Sequence, residues 1–180
     1  LPPRFPVVGV FAHAAAAAVL ETARAAGIGV VQLHTPATPA DHAALTAAGL
    51  HVVQTLSLTG AALRAAAAAL PPALGVLVEC GRGVLPGGNA ASWDWSGAAV
   101  LRGLRPFAVA GGLDPRNVAA ALALSGADAV DVSSGVEQAP GVKDPARVRD
   151  FVAAVRAAAR RGAARPVFCR PPPGSARIAP

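Results

Sequence analysis

The sequence predicts an α/β fold built on a parallel sheet. Three observations predict it. Short apolar runs alternate with helix-forming stretches six times, at about 25 residues per unit. No hairpin signal interrupts the alternation, so each strand is expected to return through a right-handed crossover. The last two strands end in small-residue loops, Gly111-Gly112 and Ser133-Ser134-Gly135. Phosphate groups bind at such junctions, because free backbone N–H groups and the positive end of the next helix point the same way. An open doubly wound sheet and a closed barrel share this alternation. Short loops, and the lack of a Gly-rich loop after the first strand, weigh against a dinucleotide-binding fold. Phosphate sites on the last two strand ends are a habit of the (β/α)8 barrel. A barrel takes eight units and this chain shows six. The expectation is therefore an incomplete TIM (β/α)8-barrel domain over residues 1–160, with about six of eight strand–helix units present.

Each unit has its own justification. Val7-Val8-Gly9-Val10-Phe11 is a continuous apolar run, suited to a strand covered on both faces. Residues 14–26 read as a helix, with Val19, Leu20 and Ala23 on one side and Gly27 as its stop. Residues 29–34 form the second strand, Pro36 and Pro39 the turn, and residues 40–48 a short helix ending at Gly49. Residues 51–56 are a strand, and residues 60–70 a helix stopped by Pro71-Pro72. Residues 75–79 are the fourth strand, followed by a long Gly- and Pro-rich loop over 80–94 and a brief helix over 96–101. Residues 107–110 form the fifth strand. A helix over 115–125 follows, with Asp114 as N-cap and Pro115 in its first turn. Residues 129–132 are the last strand. Asp144-Pro145 opens a final helix running to about residue 160, with Val148, Phe151, Val152 and Val155 as its apolar stripe.

Composition narrows the partners. A chain of 180 residues is sufficient for one domain with a sizeable core. Its 53% hydrophobic content comes largely from alanine and does not indicate a membrane protein. The apolar run over 14–20 is far too short to span a bilayer, and no signal-peptide pattern is present. The chain opens on Leu1 without an initiating Met, so it is expected to be processed or to lack its true start. Cys80 and Cys169 have no ligand companions at useful spacing. No metal and a reducing, cytoplasmic location are therefore expected. The net charge of +6 is carried entirely by Arg156, Arg160, Arg161, Arg165, Arg170 and Arg177, in a stretch without acids. Only Phe168 stands among these arginines, which is no stacking platform. No nucleic-acid partner is expected, and residues 161–180 read as a disordered basic Pro/Arg-rich tail.

Groups for chemistry in a barrel lie at the C-terminal ends of strands. Glu79 is the only acid that ends an apolar strand before a long loop. Partial burial favours the protonated form of a carboxyl, so an acid so placed can donate a proton; the plainer reading is a loop carboxylate. His34, with Gln32 beside it, admits three readings: a general acid/base, a substrate hydrogen-bond donor, or a satisfied loop histidine. Asp131 precedes Ser-Ser-Gly, where an acid needs a partner or a polar site. His13, His42 and His51 stand at helix starts, helix surfaces or a strand's beginning and are given no role. Cys80 has no histidine positioned by sequence to activate it. Trp93-Asp94-Trp95 is read as anchoring the long loop or capping the next helix.

Several stretches occur in a telling order. They are Val8-Gly9-Val10-Phe11, Val31-Gln32-Leu33-His34, Trp93-Asp94-Trp95, Ala110-Gly111-Gly112-Leu113-Asp114-Pro115-Arg116-Asn117-Val118, and Val130-Asp131-Val132-Ser133-Ser134-Gly135-Val136-Glu137 with Pro140-Gly141-Val142-Lys143-Asp144. Together they resemble the phosphoribosylanthranilate isomerase family of tryptophan biosynthesis, from Leu1 to about Ala158. The last two stretches are highly specific. The resemblance implies a cofactor-free Amadori rearrangement of a phosphorylated small-molecule substrate, N-(5-phosphoribosyl)anthranilate. An acid protonates the ring oxygen, a base takes the C2 proton, and two loops hold the phosphate. It implies Glu79 at the position of the general acid and Gln32, His34 and Asp131 in the substrate pocket. It implies Gly111, Gly112, Ser133, Ser134 and Gly135 around the phosphate.

Departures from the family pattern shape further expectations. The family's base is a Cys in a Lys-Ile-Cys-Gly motif on the first strand, and a substrate-binding Arg follows the second. Neither occurs here, because this chain begins where the family's third strand begins. The 180 residues alone are therefore expected not to turn over substrate. Glu79 stands where the family has Asp, and Gly87-Gly88-Asn89-Ala90-Ala91 where it has Gly-Gly-Thr-Gly-Lys. Two rival readings follow. One is another phosphate-binding barrel, such as an indoleglycerol-phosphate synthase or a pentose-phosphate epimerase. The other is a non-catalytic barrel remnant that keeps phosphate binding. Oligomeric state is left open.

Overall fold

The computed structural model describes residues 7–79, 93–158 and 165–169. Six parallel strands pair in chain order: β1 (Val8–Phe11), β2 (Val30–Leu33), β3 (His51–Leu56), β4 (Gly75–Val78), β5 (Ala108–Val109) and β6 (Ala129–Val130). Between them run α1 (Ala16–Ala26), α2 (Pro39–Ala47), α3 (Gly60–Ala69), a 3-10 segment Trp95–Leu101 and α4 (Val118–Ser125). The sequential parallel order is that of a (β/α)8 barrel, with six of eight strand–helix units. Cys80, and the loop over 80–92 with its Gly87-Gly88-Asn89-Ala90-Ala91 stretch, lie outside the described residues.

Strand alternation divides the core in two. On the outer face, Val31, Leu33 and Val52 pack with Val19 and Ala23 of α1 and Leu45 of α2. Farther along, Val76, Val78 and Val109 pack with Leu63 and Ala67 of α3, Val118 and Ala121 of α4, and Trp95, Ala98 and Leu101. On the inner face, Val30, Val53, Leu77, Ala108 and Ala110 form a separate cluster. β2, β3 and β4 are covered on both faces and read as largely apolar runs, whereas the edge strand β1, expected to be covered on both faces, leaves Val10 60% exposed because no strand pairs on its far side among the described residues.

Element ends differ from expectation where short-range chemistry prevails. Thr38 and Asp41 form a reciprocal capping box, so α2 starts at Pro39. Asp114 does not cap α4. Its Oδ1 accepts from the N–H groups of Arg116 and Asn117, closing a turn that precedes the helix. The segment over 95–101 is 3-10 rather than α, with Asp94 accepting from Ser96 N at its start. Trp93 donates its Nε1–H to Ala110 O at 2.9 Å, so the Trp-Asp-Trp stretch both anchors and caps. A hairpin the sequence did not signal, β7 (Glu137–Ala139) with β8 (Val142–Lys143), projects before α5 (Pro145–Ala158). Gly141 turns it at φ 77, a conformation that glycine adopts without steric cost.

The opposite, N-terminal ends of the strands are closed by residues 165–169, which the sequence placed in a disordered tail. Val167 is only 2% exposed and joins the inner cluster. Its carbonyl accepts from His51 Nε2 at 2.8 Å. Arg165 pairs with both carboxylate oxygens of Asp128, at 3.0 and 2.9 Å. An apolar side chain that fills the interior, plus two polar anchors, holds a stretch without periodicity of its own.

Candidate active site

The inner face turns polar at the C-terminal ends of the strands. Gln32, one step beyond Val30 on that face, sits level with Val53; Thr55 sits level with Leu77. Two residues beyond Leu77, Glu79 leaves β4, its N–H donating to Leu56 O. His34 leaves β2 in the same way, its N–H donating to Phe11 O at 3.0 Å. The ends of β2 and β4, the two neighbours of β3, thus bring three of the expected residues into one hydrogen-bonded chain. Gln32 Nε2 lies 3.1 Å from His34 Nε2, and His34 Nδ1 lies 3.0 Å from Glu79 Oε1. The His34 and Glu79 side chains are 7% and 10% exposed.

Donor logic sets the tautomer. An amide NH2 only donates, so His34 Nε2 accepts and its proton sits on Nδ1, donated to Glu79 Oε1. Oε2 of Glu79 has no partner among the described residues. Thr55 Oγ1, buried on the same face, also lacks a partner among them.

Asp131 follows β6, its N–H donating to Val109 O at 3.0 Å. Its carboxyl is raised above the ordinary aspartate range, first by the density of protein around it, then by the charge of Glu79. His34, Lys143 and the backbone N–H of Val132 oppose the rise. Its surface is open to water, which limits the size of the shift. The electrostatic coupling groups Asp131 with Glu79 and His34 at one mouth.

The two small-residue loops meet. Gly111 and Gly112 adopt φ 87 and φ 65, in the left-handed region. A Cβ on Gly135 would fall on Leu113 O and stand 3.2 Å from Asp114 Cα, so only glycine lets the second loop lie this close to the first. Asn117 ties the first loop down, its Nδ2 donating to Gly112 O at 2.8 Å. The second is tied by Lys143, which sequence reading had left without a role. Its Nζ donates to Ser133 O at 2.9 Å, Ser133 Oγ at 3.2 Å and Glu137 Oε1 at 2.6 Å. The Lys143 hydrogen bond holds the Glu137 carboxyl below its ordinary range.

His42 and His51, read from sequence as surface or strand-start residues, are both buried. His42 meets Gln54 across the sheet–helix interface at 3.1 Å. A local pattern could not reveal a partner twelve residues away. A cavity between α1 and α2, lined by Phe11, Val19, Leu33, Thr35, Asp41 and Leu45, lies on the helix side of β1 and β2, apart from the Glu79 mouth. Among the described residues, no group of three or more His, Cys, Asp or Glu side chains is placed to hold a metal ion, and no helix is long and apolar enough to cross a membrane.

Comparison with known proteins adds an independent line. The N-(5'-phosphoribosyl)anthranilate isomerase of Paramagnetospirillum magneticum is 47% identical over 135 residues, covering 71% of this chain. The chain spans 61% of that relative's length. The crystal structure of phosphoribosyl anthranilate isomerase from Thermotoga maritima superposes with a TM-score of 0.77 at 27% identity, covering 87% of this chain and 76% of that one. A phosphoribosyl anthranilate isomerase solved in complex with reduced 1-(o-carboxyphenylamino)-1-deoxyribulose 5-phosphate gives 0.71 at 25% identity, covering 87% and 74%. The family model described as N-(5'phosphoribosyl)anthranilate (PRA) isomerase matches residues 2–154, and by that match the chain belongs to the PRA isomerase family.

Proposed function

We propose that this chain carries the acid and phosphate side of a phosphoribosylanthranilate isomerase, an aldose–ketose isomerase of tryptophan biosynthesis acting in the cytoplasm. The observation that carries the reading is the Gln32–His34–Glu79 chain that joins the ends of β2 and β4 across β3. In this reading Glu79 is the general acid. His34 Nδ1–H donates to Oε1 and fixes the carboxyl, which leaves Oε2 to carry the proton given to the ribose ring oxygen. Ring opening yields the Schiff base, and loss of the C2 proton followed by tautomerisation gives 1-(o-carboxyphenylamino)-1-deoxyribulose 5-phosphate. No residue among these 180 is assigned the C2 base. Gln32, His34 and Asp131 face the sugar. The N–H groups of Gly111, Gly112, Ser133, Ser134 and Gly135 receive the phosphate, with the Lys143 charge behind them. The free, exposed Cys169 accords with a reducing compartment.

The test measures conversion of N-(5-phosphoribosyl)anthranilate by chromatography, for this chain and for one extended by two strand–helix units bearing Lys-Ile-Cys-Gly. Turnover by the extended chain, lost in Glu79→Gln with binding of the reduced product retained, supports the assignment. Unchanged turnover in Glu79→Gln refutes it. Binding of the reduced product with no turnover in the extended chain points instead to the non-catalytic reading.

A further inference from the structure

We propose that Gln54, clamped by His42, is a positioning residue that sets the orientation of His34 and through it of Glu79. The inference rests on the assignment of Glu79 as proton donor made above. Gln54 does not face the barrel interior. It alternates with Val53 and Thr55 along β3 and so points to the helix side, where it is 2% exposed. There its Nε2 lies 3.1 Å from Leu33 O, 3.2 Å from Thr35 O and 3.2 Å from Thr55 O. The first two carbonyls flank His34 on either side. Three carbonyls around one atom can only be met by a donor, so the amide has a single orientation.

Oε1 must then meet donors. It faces His42 Nε2 at 3.1 Å and Ala37 N at 3.4 Å. His42 therefore carries its proton on Nε2. One buried amide thus staples the backbone at 33, 35 and 37, the turn from which His34 projects. The far end of the turn is held separately by the capping box of Thr38 and Asp41. Thr35 donates its hydroxyl to Ala12 O on the neighbouring loop. The His34 backbone is thus held from both neighbours, which fixes the point from which its imidazole meets Gln32 and Glu79. A buried amide with its polar atoms met is rigid, and removing it takes a donor from the carbonyls of Leu33 and Thr35.

The test uses the 180-residue chain labelled with 15N-histidine and long-range 1H–15N spectra of its four imidazoles at pH 8.5. His34 and His42 are assigned by the signals lost in His34→Asn and His42→Asn. Unaltered, His34 is expected as the Nδ1–H form and His42 as the Nε2–H form. In Gln54→Met, which conserves length and volume, the separation of the two His34 nitrogen shifts is expected to shrink by about half as both tautomers become populated. His51, bonded to Val167 O at the opposite end of the sheet, is expected to stay unchanged and reports an intact fold. An unchanged His34 spectrum with His51 intact overturns the proposal. If Gln54→Met loses the His51 signature, His42→Phe decides, because it removes the donor to Oε1 and keeps a ring; an unchanged His34 spectrum there overturns it equally. In the extended chain, Gln54→Met is expected to lower kcat about 10- to 100-fold with KM within about twofold, the scale of an approximately 1 Å misplacement. Equal kcat overturns the proposal. Absence of turnover in the unmutated extended chain fails the functional assignment instead, and the imidazole spectra still decide the role of Gln54.

Discussion

Replacing Gly135 with alanine forces apart the two loops assigned to the phosphate. A Cβ there falls on Leu113 O and stands 2.8 Å from Leu113 C, where real Cβ contacts do not come under 3.0 Å. The obstacle is backbone, so no side chain can swing away, and one loop must retreat by about 1 Å. Overpacking of this kind costs about 1–3 kcal/mol, which for a chain of this size lowers Tm by roughly 3–10 °C. The larger effect falls on anion binding. Hydrogen bonds to a charged group contribute about 1.5 kcal/mol each, so losing two of the loop N–H donors weakens binding roughly 100-fold. Calorimetric titration with the reduced product analogue, and with inorganic phosphate as competitor, measures this. Gly29→Ala serves as control, since a Cβ at Gly29 meets nothing within 4 Å. A lowered Tm with unchanged Kd refutes the reasoning. The close approach of the loops would then serve stability alone.

Other substitutions probe separate parts of the molecule. Arg105 is buried with no carboxylate partner among the described residues; its Nη1 and Nη2 instead serve the carbonyls of Ala67, Leu70, Pro71 and Leu74 around the end of α3, and burial lowers its pKa. Arg105→Met removes the charged donor from those carbonyls, of which Ala67 O and Pro71 O keep the N–H groups of Leu70 and Leu74, and is expected to destabilise by about 1.5–3 kcal/mol in urea unfolding, whereas a loss under about 1 kcal/mol contradicts the capping role. Lys143→Met is expected to change stability by less than about 1 kcal/mol, because the lysine is half-exposed, yet to weaken phosphate-ligand binding about tenfold and flatten its salt dependence. Asp131 has a folded pKa above its unfolded one, so its protonated form favours the folded state at low pH and that contribution is lost as pH rises through the folded value. Asp131→Asn should therefore gain stability relative to the parent between the ordinary aspartate pKa and the raised one, then hold a constant difference above it. A difference that is flat across that window in unfolding titrations contradicts the shift.

The repeating architecture was legible because Val-rich runs and Gly or Pro stops state it locally. Val30-Val31 and Val76-Leu77-Val78 can be little else than doubly covered strands. Glu79, His34 and Gln32 were found as strand-end residues, since barrel topology alone gathers strand ends. Their hydrogen-bonded order depends on register between β2, β3 and β4, which no single segment encodes. The hairpin escaped notice because Glu137-Gln138-Ala139 lacks β-branched residues; Lys143 bonds to Glu137, and Arg147 donates to the Glu137 carbonyl. His42 looked exposed on an alanine-rich helix whose faces differ little, and its true partner, Gln54, lies on another element. Asp114 carried the right chemistry for a cap and used it on the turn before α4.

Val167 sits 116 residues beyond His51 and fills the same interior layer as Val30, Val53 and Leu77. The carbonyl of Val167 lies where a Cβ on Gly75 would stand, so β4 has to begin with glycine for the segment to seat. Contacts this distant in sequence form late, after the loops between them have closed. A nascent chain would have all six strands outside the ribosome while residues 165–169 were still in the exit tunnel. The floor of the interior would stay open until Val167 arrives, exposing Val30, Val53 and Leu77 to water and to any chaperone that reads apolar surface.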